Sequence, residues 1–145
     1  NTMANIPNEW EICKEAEDIV AKLCSMYPEK FAHIQPDRIG CAMVCNKERP
    51  KSADWNCKLV GVKDPELLFS SKTYIMWFFK DVWESFNNAQ RSFMICKDLL
   101  RISEEFDGSI LKEDLKDMKC LVKHWGPDYI DNPNLPDLTA DKQVF

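Results

Sequence analysis

The sequence predicts a single α+β domain with an N-terminal helix, a small sheet of three or four strands, a central helix and a C-terminal helix. Three observations support this fold class. Apolar residues recur at helical spacing across residues 10–27. Three short apolar segments bounded by polar loops follow, each with the length of a strand. Residues 91–125 then contain two helical patterns separated by a turn at Asp107-Gly108.

Composition and charge exclude several classes of protein. The most apolar segment, residues 73–79, is far shorter than the ~18 apolar residues that span a bilayer, so no membrane association is expected. The chain shows no charged region followed by an apolar one, so we expect no secretory signal and a cytoplasmic location. A net charge of −5 argues against a broad phosphate-binding surface.

Cysteine usage fits a reducing compartment. The seven cysteines form no CxxC pair, and an odd count without a secretory signal favours reduced, mostly buried thiols. A structural zinc site is disfavoured because the chain has two histidines and no paired ligands.

The N-terminal helix is predicted from a start signal and a stop signal. Asn8 and Glu11 have the spacing of a capping box, and Pro28 discourages continuation, so the helix is expected over residues 10–27. Residues 1–7 are predicted to be a flexible tail. The domain proper is expected to comprise residues 8–129.

The strands are expected at residues 38–45, 57–63 and 72–79, in a largely antiparallel or mixed sheet. The first two are expected to pair across the polar loop between them. Residues 81–86 fit either an extension of the third strand or a helical turn.

The two last helices are predicted from their caps. Asn87-Asn88 precedes a central helix over residues 89–102, whose apolar residues cover most of its circumference. Ser109 is a plausible cap for a helix over residues 110–125, which Gly126-Pro127 ends. Residues 130–145 contain three prolines and no periodicity, and are predicted to be a C-terminal tail.

The segments KDLLRI (residues 97–102) and LLRISEEFDGSILKEDLKDMKCLVKHWGPDY (residues 99–129) resemble the active-site region of the phage metallopeptidases, a family of small zincin-like domains. The resemblance extends over about residues 31–129. Family members have HELLHI in place of KDLLRI, and a third histidine in place of Glu113. The resemblance therefore implies a zincin-like scaffold with substituted zinc ligands.

The substitutions change the chemistry that the resemblance implies. The former metal-site positions are Lys97 and Arg101 for the paired histidines, Asp98 for the general base and Glu113 for the third ligand. Lysine binds metal only after losing its proton, and arginine stays protonated. We therefore predict no metal, no cofactor and no catalytic residue. A salt-bridge cluster of these four residues and a solvated polar face are both compatible with the sequence.

Other catalytic arrangements are weaker. A Cys96–His124 dyad is possible, but Cys96 fits better as a core residue. Several acidic residues crowd the turn after the central helix and could hold a divalent cation, although acidic residues at a helix start are also favoured by the helix dipole. These residues are Glu104, Glu105, Asp107, Asp114 and Asp117.

We therefore expect a non-enzymatic phage protein that binds a protein partner. By analogy with other phage proteins, we hypothesise that it inhibits a host defence system, for example as an anti-CRISPR. The alternatives are a hydrolase with a rebuilt metal site, and a nucleic-acid-binding protein that uses its basic loop. The sequence does not indicate which oligomeric state the protein has. The candidate partner-binding residues are Trp55, Lys47, Arg49, Lys51 and Tyr129, with Trp10 as a further aromatic anchor.

Overall fold

The protein is described by a computed structural model that covers residues 5–112 and 116–145. Helices and a mixed four-stranded sheet are combined in these residues, which confirms the α+β class. No described helix is long and apolar enough to cross a membrane. The helices and strands in chain order are β1 (Trp10–Ile12), α1 (Lys14–Met26), α2 (Pro28–Phe31), β2 (Ile39–Val44), β3 (Lys58–Gly61), β4 (Tyr74–Phe79), α3 (Lys80–Ser85), α4 (Asn88–Leu99) and α5 (Lys116–Trp125).

The sheet has the strand order β1-β2-β4-β3. Strand β4 pairs with β2 in parallel and with β3 in antiparallel orientation, and β1 pairs with β2 in antiparallel orientation. The predicted pairing of β2 with β3 was therefore wrong. Strand β4 lies between them because it is the most apolar of the strands, and a central position buries its residues best.

The N-terminal helix begins later than predicted. Residues Trp10–Ile12 form an edge strand on β2, and the helix starts at Lys14. The backbone N–H of Cys13 donates to the carbonyl of Cys41 at 2.9 Å, which extends the strand pairing up to the helix. The predicted start at Asn8 and Glu11 was wrong because three alternating residues fit either period, and the neighbouring strand decides between them.

The core lies between one face of the sheet, which we call the inner face, and helices α1 and α4. Tyr74, Met76 and Phe78 project from β4 on this face and are completely buried. Helix α1 packs against β2 and α4. Its buried side is formed by Ala16, Val20 and Leu23, the helical stripe that the sequence predicts.

The central helix has the predicted cap. The Asn87 side chain accepts from the N–H of Gln90, and the Gln90 side chain accepts from the N–H of Asn87, each at 2.9 Å. Of the two possibilities for residues 81–86, the helical turn is correct, since α3 comprises Lys80–Ser85.

The last helix differs from its predicted range. Ile110 forms an isolated antiparallel bridge with Ile102, and Leu111 and Lys112 are not helical, so the predicted helix start after Ser109 was wrong. The described part of the helix begins at Lys116. Leu121 is completely buried there, whereas Val122 is exposed.

Residues 130–145 lie against the body of the protein. The Tyr27 hydroxyl donates to the Leu138 carbonyl at 2.9 Å and accepts from the Gln143 N–H at the same distance. Leu138 is completely buried, and the Phe145 ring packs on Tyr27. This segment therefore contributes to the core beside the C-terminal end of α1.

Candidate functional site

A cleft of about 570 Å³ lies beside the C-terminal half of α4. The loop before β3 forms one wall, and residues after α5 form the other. Lys97, Asp98 and Arg101 all line this cleft, together with Trp55 and Tyr129. The structure therefore brings three of the four former metal-site positions to one place. Glu113 lies outside the described residues.

Asp98 and Arg101 form the charged floor of the cleft. Asp98 is 3% exposed, and its Oδ1 lies 3.7 Å from Nη1 of Arg101, one helical turn away. The Arg101 Nε also donates to the Leu111 carbonyl at 3.4 Å. The pair thus connects the end of α4 to the strand-like residues after the turn. A partly buried pair of this kind fixes geometry more than it adds stability.

Cys57 is a further member of the site, which the sequence analysis missed. Burial raises the pKa of its thiol well above the ordinary value, and the negative charge and hydrogen bond of Asp98 raise it further. The thiol therefore stays protonated at neutral pH and is not a nucleophile. Its sulfur lies 3.9 Å from the Lys58 carbonyl oxygen, to which it donates. Nothing in the local sequence before β3 indicates that Cys57 belongs to this site.

The residues of the cleft do not fit a zinc ion. At the two positions that the family resemblance assigns to imidazole ligands, the chain has Lys97 and Arg101, cationic side chains that offer no lone pair to a metal. No group of three His, Cys, Asp or Glu side chains in the described ranges has a metal-binding arrangement. We therefore derive no chemical step through a metal at this site.

The predicted basic loop is only partly available for binding. The Arg49 guanidinium donates to the Trp55 carbonyl at 2.9 Å and to the Asn56 side-chain oxygen at 2.7 Å. Its backbone N–H also lies 3.3 Å from both carboxylate oxygens of Asp81. Arg49 therefore holds the loop that positions Trp55. Lys47 and Lys51 border an open depression that they share with acidic residues, including Asp81.

The structure argues against the Cys96–His124 dyad, which the sequence disfavours but leaves open. Cys96 is completely buried, and this burial raises the pKa of its thiol far above the ordinary value. His124 is exposed, with its ring against Trp125 and Phe145. A reactive thiolate needs a lowered pKa, so this pair lacks the electrostatics of a cysteine–histidine dyad.

Two of the predicted acidic residues have structural partners in the turn. The Asp107 carboxylate accepts from the Ser109 N–H at 3.0 Å, and the Glu105 carboxylate accepts from the Ser103 hydroxyl. The Ser103 hydroxyl lowers the pKa of the Glu105 carboxyl group, and the Ser109 side chain, followed by the Ser109 N–H, lowers the pKa of the Asp107 carboxyl group. The two side chains therefore stabilise the turn. Asp114 lies outside the described residues.

One comparison with known proteins found a similar family. A family model described as "Putative phage metallopeptidase" matches residues 8–138, which include the sheet, the cleft and most of the C-terminal segment. Searches of curated proteins and of solved structures found no match.

Proposed function

Because the chain belongs to the phage metallopeptidase family, we propose that it is a non-catalytic member whose cleft binds a segment of a protein partner. The single observation that carries this proposal is the pair of cations that line the cleft, Lys97 in the last turn of α4 and Arg101 in the turn that follows the helix. They stand where the family resemblance expects histidine ligands, and like-charge repulsion opposes the binding of a divalent cation there.

The side chains around the cleft support protein binding. Trp, Tyr and Arg are the residue types most enriched at the energetic centres of protein interfaces, and Trp55, Tyr129 and Arg101 bring all three to this cleft. A cleft of about 570 Å³ is large enough for a few side chains of a partner.

The charges of the cleft indicate the chemistry of the bound segment. Lys58, Lys97 and Arg101 contribute three positive charges to the lining, against the two negative charges of Asp54 and Asp98, and Asp98 is paired with Arg101. Among the described residues, no carboxylate lies within ion-pair distance of the Lys97 ammonium. The favoured ligand is therefore a protein segment that carries a carboxylate beside an apolar side chain. Inhibition of a host defence component, including an anti-CRISPR activity, is the biological role that we propose by analogy with other small phage proteins.

A capture experiment with matched variants tests this function. The full chain, a Lys97→Glu variant and a Lys22→Glu control, whose substitution lies on the exposed side of α1, are immobilised and exposed to lysate of the bacterial host. Captured proteins are identified, purified and measured by calorimetry. We expect one protein to bind the wild type and the control, and to bind Lys97→Glu at least about tenfold more weakly.

Two results would contradict the proposal. In the first, the calorimetric affinities of the wild type and Lys97→Glu are equal for every purified partner. In the second, the purified wild type hydrolyses a protein substrate with an activity that zinc restores after chelation. The second result would favour the alternative of a hydrolase with a rebuilt metal site.

A further inference from the structure

Strand β1 forms one edge of the sheet, and its pairing with β2 determines which backbone groups point outward. The N–H of Cys13, directly after β1, donates to the carbonyl of Cys41 at 2.9 Å. In an antiparallel pair, alternate residues direct both their N–H and their C=O groups to the neighbouring strand. Cys13 and Glu11 therefore face β2, whereas Trp10 and Ile12 direct both backbone groups away from the sheet.

The outward edge of β1 is open. Among the described residues, none makes a hydrogen bond to the outward N–H and C=O groups of Trp10 and Ile12. The opposite edge of the sheet is partly covered, because the turn at Gly108 lies directly against Gly61 of β3. Unpaired backbone groups at a sheet edge are a template for a further strand. The edge of β1 therefore specifies an extended backbone as its ligand.

The side chains of β1 indicate which residues that backbone should carry. Trp10 and Ile12 project from the outer face of the sheet, opposite the inner face, and are 50% and 74% exposed. The Trp10 indole packs on that of Trp77 at a centroid distance of 5.2 Å, so it has a fixed position at the edge. Residues paired across two strands place their side chains on the same face. An added strand would thus shield both side chains with apolar residues at alternate positions.

The residue between these apolar positions would lie opposite Glu11. Glu9 and Glu11 are exposed on the other side of β1, away from Trp10. The other charged side chains around this edge balance: Lys14, Lys80, Arg91, Glu15, Glu17 and Glu84. An opposite charge directly across two strands is favourable, and a like charge is unfavourable. The position opposite Glu11 therefore favours lysine or arginine.

We infer that β1 accepts an extended segment of a partner protein as an additional strand of the sheet. The segment has apolar residues opposite Trp10 and Ile12 and a basic residue between them, opposite Glu11. Main-chain hydrogen bonds then supply affinity, and the alternating side chains supply specificity. The inference does not depend on the function proposed for the cleft, because no residue of β1 lines the cleft.

A peptide with the inferred pattern tests this site. The probe is a capped heptapeptide, Thr-Val-Lys-Val-Lys-Val-Thr, which is titrated into the isotopically labelled full chain and followed by NMR. We expect saturable binding that slows amide hydrogen exchange of Trp10 and Ile12 at least about tenfold. A peptide with glutamate in place of both lysines should bind at least about tenfold more weakly, because its carboxylates lie beside Glu11.

Backbone methylation separates strand addition from a contact between side chains alone. In the inferred register, the valine amides of the peptide face β1 and the lysine amides face away. A peptide that is N-methylated at its valines should therefore lose binding. A peptide that is N-methylated at its lysines should bind within about threefold of the unmodified probe.

A protein variant tests the same hydrogen bonds from the other side. Ile12→Pro removes an outward N–H and leaves the bonds to β2, since proline is tolerated on an edge strand where the N–H faces solvent. It should weaken peptide binding at least about tenfold, whereas Ile12→Val, which keeps the N–H, should bind like the wild type. If Ile12→Pro changes the circular dichroism spectrum, the methylated peptides still test the inference on the unaltered protein.

Four results would overturn the inference. The probe does not bind at concentrations up to about 1 mM. The two methylated peptides bind equally well. Binding protects amides of β3 or of the cleft and leaves those of Trp10 and Ile12 unchanged. Without peptide, the wild type is a dimer in which these two amides are already protected, which identifies the edge as an interface between copies of this chain.

Discussion

The hydroxyl of Tyr74 holds the turn that follows the cleft helix, and we predict that Tyr74→Phe destabilises the protein strongly. This hydroxyl donates to the Ser109 carbonyl at 2.8 Å and accepts from the Gly108 N–H at 3.0 Å. Both Tyr74 and Gly108 are buried. Phenylalanine keeps the ring packed on Phe106, so the variant removes the hydrogen bonds and little else.

The magnitude follows from the two lost hydrogen bonds. A buried N–H left without an acceptor costs about 1–3 kcal/mol, and an ordinary lost hydrogen bond costs about 1 kcal/mol. The free energy of unfolding should therefore fall by about 2–4 kcal/mol. For a chain of this length, that loss lowers the melting temperature by about 6–12 °C. Urea unfolding and calorimetry measure both quantities.

Tyr27→Phe is the matched control. The Tyr27 hydroxyl also makes two hydrogen bonds, but these attach the C-terminal segment at Leu138 and Gln143. Hydrogen exchange should become faster around Gly108 in Tyr74→Phe and around Gln143 in Tyr27→Phe. The reasoning is refuted if Tyr74→Phe unfolds within about 0.5 kcal/mol of the wild type, because that is the range of substitutions without structural consequence.

The ionisation of Tyr74 adds a pH dependence with a defined sign. Burial raises the pKa of this hydroxyl above its ordinary value of 10.0. The stabilisation is therefore fully present below pH 10 and is lost as the pH rises through the folded-state pKa. The stability difference between wild type and Tyr74→Phe should consequently shrink in alkaline solution and stay constant between neutral pH and about pH 9.

Two further predictions concern the sheet and the thiols. In Gly61→Ala, the new Cβ would lie 1.8 Å from the Gly108 carbonyl oxygen. We therefore expect the free energy of unfolding, measured in urea, to fall by about 1–3 kcal/mol. Gly40→Ala should have a small effect, because the nearest atom there belongs to the flexible Lys72 side chain, at 3.4 Å. Burial raises the pKa of Cys24 to about 11 and also raises the pKa of Cys13, Cys41 and Cys96. Iodoacetamide at pH 8 should therefore label these thiols slowly until the protein is denatured. Rapid labelling of Cys96 in the native protein would instead support a catalytic thiol.

The elements with strong local signals were predictable from the sequence. The capping box at Asn87 and Gln90 fixes the start of α4, and the apolar segment Tyr74–Phe79 forms the central strand as expected. Strand order was not predictable, because the pairing of β4 with both β2 and β3 depends on contacts between residues distant in sequence. The edge strand Trp10–Ile12 was missed because three residues cannot establish a period.

The candidate site was predictable in part for a similar reason. Lys97 and Asp98 lie in the last turn of α4 and Arg101 follows two residues after its end, so their common location follows from their closeness in sequence. The contribution of Cys57 depends on how the loop before β3 lies against α4, and no local pattern encodes that packing. The role of Arg49 in holding Trp55 could not be predicted either. A basic residue in a polar loop has the same sequence pattern whether it binds a ligand or a backbone carbonyl.

The most direct test of the central claim is the number of zinc ions that each chain retains after dialysis against a zinc–chelator buffer. The wild type, Asp98→Asn and a triple variant, Lys97→His/Asp98→Glu/Arg101→His, are compared, so that zinc held adventitiously by cysteines is common to all three. We predict equal zinc content for the wild type and Asp98→Asn, and one additional zinc ion per chain in the triple variant, whose restored histidines have unprotonated nitrogens for the metal. A zinc ion that the wild type retains and Asp98→Asn loses would contradict the claim that the cations of this cleft have replaced the metal.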